Sequence, residues 1–118
     1  MDESETNESR SSDWVFTINN PEPSEMNSIY SVQSEIKYLV YQFEKGESGT
    51  EHIQGYIEFN EGKTWHEVKE ILGRRTAFKR RYGTRDGARE YCMKEETRLR
   101  GPWEIGRWII DAEQSDTH

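Results

Sequence analysis

Three polar side chains near the middle of the chain have the types and spacing to hold a cation. Residues 37–44 (KYLVYQFE) and 52–59 (HIQGYIEF) are rich in β-favouring residues, and the loop KGESGTE between them holds two glycines, so the pair predicts a β-hairpin. Strand alternation sorts His52, Gln54, Tyr56 and Glu58 onto one face and Ile53, Ile57 and Phe59 onto the other. The hairpin sets Glu44, at the end of the first strand, opposite His52 at the start of the second. A carboxylate, an imidazole and an amide oxygen then converge, a mixed nitrogen and oxygen set that suits Mg²⁺ or Mn²⁺ better than a closed tetrahedral zinc site. A histidine on a strand face serves as readily as an ordinary surface or packed residue, so the hairpin alone leaves metal binding open.

A second group follows. Thr84 is placed to cap a helix running through Ala88, Tyr91 and Met93 to about Glu95, and spacings of three and four put Lys94 and Glu95 on the face of Tyr91. A free tyrosine phenol, titrating near pH 10, is a weak nucleophile. It attacks a phosphodiester once its proton is withdrawn and the phosphate charge is stabilised. A nearby lysine and a divalent cation supply both needs. The same spacing describes a core aromatic on an amphipathic helix beside a solvated lysine, and spacing does not choose between the two.

The elements that must position these groups are legible from pattern. WVFTIN (residues 14–19) predicts a first strand, stopped by Asn20-Pro21. Met26, Ile29 and Tyr30 predict a short helix within residues 24–33. Thr64 and Glu67 form a capping box for a helix over residues 64–72, with Trp65, Val68 and Leu72 on one face and Gly73 as its stop. Residues 77–83 predict another strand, giving the order β, α, β, β, α, β, α. That order implies an α+β fold, a central antiparallel sheet flanked by helices. The segment TRLRGPWEIGRWII, with Pro102 and two glycines, reads as the start of a linker or an extension packed on the sheet. Gly62-Lys63-Thr64 ends like a phosphate-binding loop, but the first glycine of that motif would fall at Ile57, so it reads as the capped start of a helix.

Composition bounds the rest. The 118 residues fit one domain, expected over residues 13–110, between a disordered acidic tail at 1–12 and a second acidic tail or linker start at 111–118. Only 31% of residues are hydrophobic, so four Trp, six Tyr and four Phe must supply much of the buried area. The single cysteine, Cys92, excludes an internal disulfide and a cysteine-based zinc site, and fits a reducing compartment. No stretch has the length of a membrane span or the pattern of a secretory signal, so the chain is expected to be soluble, not secreted and without a membrane partner. The net charge of −7 argues against a polyanionic partner, but residues 60–110 carry 13 Lys/Arg against 8 Asp/Glu, a local +5. Arg74, Arg75, Lys79, Arg80, Arg81 and Arg85 are the candidate phosphate contacts, with Tyr82 as a base-stacking partner and Phe78 assigned to the core. Asn19 and Asn20 have the groups to meet base edges, although an Asn-Asn-Pro turn needs no ligand to explain it.

Three segments in this order also match a known pattern. WVFTINNP, EHIQGYIEF and YCMK resemble the three motifs of the replication initiator proteins of small circular single-stranded DNA viruses, the circoviruses, geminiviruses and nanoviruses. The resemblance runs from Trp14 to about Trp103 and is strongest to nanovirus-like and circovirus-like initiators. It implies the ferredoxin- or RRM-like fold of HUH endonucleases. It further implies a Mg²⁺- or Mn²⁺-dependent enzyme that nicks and rejoins single-stranded origin DNA through a 5′-phosphotyrosine, initiating rolling-circle replication. On that resemblance Phe16, Thr17, Asn19 and Asn20 lie in a strand that helps bind the origin, and His52 to Gln54 is the metal motif. Gln54 stands where many relatives have a second histidine. Glu44 is the acidic ligand, with Phe43 in place of a first acid found in many members. Tyr91 is the nucleophile, Lys94 its companion, and Glu95 matches an acidic position implicated in metal coordination. The resemblance also implies a host-nuclear location, host replication proteins as partners, and oligomerisation through a helicase domain that is expected to lie outside these residues. The alternative class is a noncatalytic single-stranded nucleic-acid binder of RRM-like fold, whose sequence signature the chain lacks. A module for host-protein interaction has no specific motif in the acidic tails.

Overall fold

The computed structural model describes residues 9–22 and 24–109. Residues 1–8 of the tail expected at 1–12, and all of the tail expected at 111–118, lie outside the described residues. Five strands form one antiparallel sheet: β1 (Arg10–Asn19), β2 (Ile36–Lys45), β3 (Glu51–Thr64), β4 (Ala77–Arg80) and β5 (Arg98–Gly106), in the spatial order β4-β1-β3-β2-β5. Three α-helices occur among the described residues, α1 (Asn27–Tyr30), α2 (Trp65–Leu72) and α3 (Arg85–Tyr91), with a 3₁₀ turn at Gln33–Glu35 before β2. This is the α+β fold expected from the pattern.

Strand alternation divides the molecule into two unlike faces. On one, Trp14, Phe16 and Ile18 of β1, Leu39 and Tyr41 of β2, and Ile53, Ile57 and Phe59 of β3 pack with Met26, Ile29, Val68 and Leu72 into the main core. Burying side chains of this size contributes about 1.5–3 kcal/mol each, so this face carries most of the stability. Gly55 is required there: a Cβ at that position would lie 2.1 Å from the Phe16 ring. The other face holds a smaller apolar cluster of Tyr38, Val40, Tyr56 and Cys92, with the buried polar residues Gln42, Glu44, Gln54 and Glu58 beside it. Helix α3 lies on this polar face. Helix α2 starts as its sequence predicts, with Thr64 Oγ1 accepting from the Glu67 amide and Glu67 accepting from the Thr64 amide, and it ends at Gly73 with φ 98°.

Several boundaries differ from the sequence expectation. β1 begins at Arg10, because Arg10 and Ser11 pair with Thr64 and Lys63 of a β3 that runs past Phe59; part of the expected tail is therefore sheet. The expected helix within 24–33 shortens to α1 plus the 3₁₀ turn. β4 stops at Arg80, short of the expected 83. The segment read as a linker or packed extension is β5, an edge strand on β2. Proline has no N–H to give to a ladder, and on this edge strand Gly101 and Pro102 fall at the register shift between Tyr41 and Phe43.

Candidate active site

The hairpin register places the first three candidates side by side. Glu44 pairs across the sheet with His52 and Gln42 with Gln54, while Gln54 on its other side pairs with Thr17 of β1. His52 Nε2 lies 3.1 Å from Glu44 Oε1. Gln54 is oriented by two contacts: its Nε2 donates to the Phe16 carbonyl at 3.3 Å, and its Oε1 accepts from Thr17 Oγ1 at 3.2 Å. The Phe16 carbonyl fixes which end of the amide is oxygen, so an acceptor is presented on the same face as Glu44 and His52.

Glu44 is the anchor of the group. Its side chain is 2% exposed, and Lys94 Nζ donates to both carboxylate oxygens, at 2.9 and 2.8 Å. Gln42 Nε2 adds a bond at 2.8 Å and reaches the Lys94 carbonyl at 2.9 Å, tying the loop after α3 to β2. Burial pushes the Glu44 carboxyl up, but the bonds from Lys94 and Gln42, the Lys94 charge and the His52 contact together outweigh it and hold the group below its usual range. The carboxylate is ionised at neutral pH.

Helix α3 is shorter than the sequence spacing predicts. It ends at Tyr91, and Cys92 and Met93 turn away from the helix, so Lys94 and Glu95 do not share a helical face with Tyr91. Lys94 meets Tyr91 all the same, because its bonds to Glu44 bring Nζ over the Tyr91 ring, 3.7 Å from the centroid. Its Nζ also donates to the Tyr91 carbonyl at 3.1 Å. Tyr91 itself is 56% exposed. Cys92, its neighbour, is buried, and burial pushes the thiol up to about 12, so it stays a neutral thiol and offers no competing thiolate. Glu95 is 86% exposed and faces Arg98 at 3.9 Å. Among the described residues no three His, Cys, Asp or Glu side chains form a cluster, so Glu95 does not join Glu44 and His52.

These donors fit a divalent cation of the Mg²⁺ or Mn²⁺ type. One ionised carboxylate, one imidazole nitrogen and one oriented amide oxygen are the hard and borderline ligands such ions take, and no thiolate is present to favour a softer metal.

From this centre a groove of about 620 Å³ runs between α3 and the β1–β4 edge, lined by Thr17, Gln54, Ala77, Lys79, Tyr82, Gly83, Gly87, Ala88 and Tyr91 among others. Lys79 is exposed along it, and Tyr82 is 87% exposed. Phe78 packs against Trp14 and Trp65, as its assignment to the core requires. Four of the remaining basic candidates also have partners within the chain. Arg85 forks onto the buried Glu58 at 2.7 and 3.1 Å. Arg81 pairs with Asp13 at 2.8 Å. Arg75 pairs with Glu25 at 3.0 Å and donates to the carbonyls of Asn19 and Asn20, bracing that turn. Arg80 donates to the Ser9 carbonyl and lies over the Trp14 ring. Each of these four arginines has an acid or carbonyl partner distant in sequence; the Arg81 and Arg85 pairs are partly buried, and the contacts of Arg75 and Arg80 lie at the surface. Arg74 is exposed beyond the end of α2, beside Lys69 and Glu70.

In β1, Phe16 is 1% exposed beneath Gly55, so its side chain belongs to the core and its contribution to the site is its carbonyl. Thr17 serves through Gln54. Asn19 is exposed opposite His52, and Asn20, also exposed, takes a left-handed conformation at φ 49°. The residue that sequence reasoning missed is Gln42; alternation from Glu44 puts it on the same face and was the available signal.

A family model described as "Putative viral replication protein" matches residues 11–95, which contain this whole arrangement. The chain belongs to that viral replication protein family. Family relatives include the master replication proteins of faba bean necrotic yellows virus (45% identical over 96 residues, 81% of this chain and 32% of the relative) and of banana bunchy top virus (42% over 97 residues, 82% and 32%). The replication-associated protein of beak and feather disease virus is 39% identical over 83 residues, 70% of this chain and 28% of the relative. The chain thus spans about a third of the length of these curated family members. No helix among the described residues is long and apolar enough to cross a membrane.

Proposed function

We propose that this chain is the origin-nicking unit of a rolling-circle replication initiator, a metal-dependent endonuclease and strand-joining enzyme for single-stranded DNA. The observation that carries the reading is the continuity of the site: Lys94 Nζ lies 3.7 Å from the Tyr91 ring centroid and 2.8 Å from Glu44, which lies 3.1 Å from His52. An exposed phenol, the Lys94 ammonium and the candidate ligands therefore lie side by side, and Tyr91 and Gln54 line a groove that also holds Lys79 and Tyr82.

The groove receives the strand, with Tyr82 stacking on a base and Lys79 meeting a phosphate. Tyr91 Oη attacks the phosphorus as its proton passes to solvent water. A P–O bond to tyrosine forms, the P–O3′ bond breaks, and the departing 3′ oxygen takes up a proton. Lys94 stabilises the phenolate and the phosphate charge and keeps the phenol near Glu44. The products are a 5′-phosphotyrosine and a free 3′-hydroxyl. Attack of a 3′-hydroxyl on that ester runs the same exchange backward and rejoins the strand. Glu44, His52 and Gln54 would hold the Mg²⁺ or Mn²⁺, which supplies polarisation of the phosphate oxygens when bound. On this reading the substrate is viral origin DNA in the host nucleus. Host replication proteins are partners, and the longer protein oligomerises through a following helicase domain.

The test is incubation of the chain with labelled single-stranded origin oligonucleotide and Mn²⁺, followed by a denaturing gel. A covalent adduct mapped to Tyr91, absent from Tyr91→Phe and abolished by chelator, is the expected result. Cleavage by Tyr91→Phe refutes the mechanism. Binding without any cleavage by the wild type makes the chain a noncatalytic nucleic-acid binder.

A further inference from the structure

Helix α3 carries Tyr91 at its last position, yet it is only seven residues long and none of its residues is fully buried. A helix this short is marginal by itself, so contacts outside it must fix its place. Two of them are Arg85 and Arg89, one turn apart on the same side. Arg85 reaches Glu58, and Arg89 donates to the Tyr38 hydroxyl at 2.8 Å and to Glu104 at 2.9 Å.

Beside both arginines lies one ring from the far end of the described chain. The Trp108 ring centroid is 4.3 Å from the Arg85 guanidinium carbon, 4.9 Å from that of Arg89 and 4.8 Å from the Tyr38 ring centroid. The Ile109 carbonyl also accepts from Arg85 Nη1 at 2.7 Å. Residues 107–109, which follow β5, therefore cross the polar face and bind α3 through its two arginines. A tryptophan face is the strongest of the aromatic partners for a guanidinium, and partial burial strengthens the attraction.

We propose that Trp108 is a positioning residue for the nucleophile: it holds Arg85 and Arg89, they hold α3, and α3 sets the place of the Tyr91 phenol over Lys94. The inference rests on Tyr91 acting as proposed above. Trp108 touches neither Tyr91 nor the ligand set, so its effect is on geometry and not on ligand affinity. A displacement of the phenol of about 1 Å is enough to lower the rate of an in-line attack by up to about 100-fold.

The experiment compares Trp108→Ala and Trp108→Phe in the full 118-residue chain by amide hydrogen exchange and by single-turnover nicking with Mn²⁺. In Trp108→Ala, exchange at residues 87–92 is expected to accelerate by about tenfold or more while residues 53–57 of the central strand stay as protected as in the wild type. The nicking rate is expected to fall by about tenfold or more with oligonucleotide affinity changed by less than about twofold. Trp108→Phe, which keeps an aromatic face for both arginines, is expected to restore most of the protection and rate. Wild-type exchange in α3 of Trp108→Ala overturns the proposal, as does loss of protection spread equally over the central strand. A rate loss matched by an equal loss of DNA affinity also overturns it, since that makes Trp108 part of the binding surface. If the wild type does not nick at all, the proposed function fails, and the exchange measurement still decides whether Trp108 holds α3.

Discussion

Arg85 is where charge content and structure give opposite expectations, so its substitution is informative. A phosphate contact at Arg85 would leave stability intact and weaken DNA binding; an internal brace would do the reverse. Its partner Glu58 is 1% exposed, and the two nitrogens of Arg85 lie 2.7 and 3.1 Å from its two oxygens. Removing one partner of a buried pair costs about 3–5 kcal/mol, because the other charge is left in the interior. In Arg85→Met the Tyr56 hydroxyl still donates to Glu58, and the methionine keeps some packing under Trp108, so the low end applies, about 3 kcal/mol. For a chain of this size roughly 4 °C of melting temperature accompanies each kcal/mol, giving a drop of about 12 °C. Circular dichroism melts and urea titrations at pH 7 in chelator measure it. Arg85→Met/Glu58→Leu, which removes both charges, is expected to regain at least half of the loss. The logarithmic salt dependence of oligonucleotide binding is expected to keep its wild-type slope in Arg85→Met. A melting point within about 2 °C of wild type, together with a slope reduced by about 0.7, the value for one lost single-strand phosphate contact, would refute the brace and restore Arg85 to the DNA surface.

The groove residues are expected to show the converse pattern. Tyr82→Ala should change stability by less than about 0.5 kcal/mol and weaken single-stranded DNA binding by about 1–3 kcal/mol in fluorescence anisotropy; unchanged affinity would remove Tyr82 from the path. Gly55→Ala drives a Cβ into the Phe16 ring, with an expected cost near or above about 3 kcal/mol in urea titration. A smaller Phe16→Leu side chain in the same protein should recover part of that loss, and a fully stable Gly55→Ala would contradict the core packing. For Glu44 the folded carboxyl is held below its ordinary value of about 4.3. The stability it contributes is therefore complete above that value and is lost as the pH falls through the depressed one. Measured in chelator, the stability gap between wild type and Glu44→Gln should be full at neutral pH and close below about pH 4. A gap that widens on acidification would show that the pair with Lys94 does not hold the carboxylate.

The juxtaposition of Glu44, His52 and Gln54 was legible because a hairpin has a period of two. Once His52 heads one strand and Glu44 ends the other, alternation puts Gln54 and Gln42 on the same face, whatever the rest of the fold does. The relation of Lys94 to Tyr91 was legible for a different reason from the one that operates. Spacing of three implied a shared helical face, but α3 ends at Tyr91, and Lys94 reaches the ring because Glu44, 50 residues earlier, draws its Nζ there. β5 was obscured because the features that usually end a strand, a proline and two glycines, are tolerated on an edge.

The arginines show the limit most directly. Composition displays a basic stretch, but whether a guanidinium is available to a phosphate depends on an acid elsewhere: Asp13 is 68 residues from Arg81, and Glu58 is 27 from Arg85. No local window contains those pairs, yet one of them left a trace. Glu58 lies on the same strand face as His52 and Gln54, between the apolar Ile57 and Phe59. An acid buried at the middle of a sheet needs a cation, and the helix carrying Arg85 must cover that face if Tyr91 is to reach His52. The placement of α3 over this face commits Arg85 to Glu58. Lys79 and Tyr82 stay exposed along the groove, where the proposed function needs them.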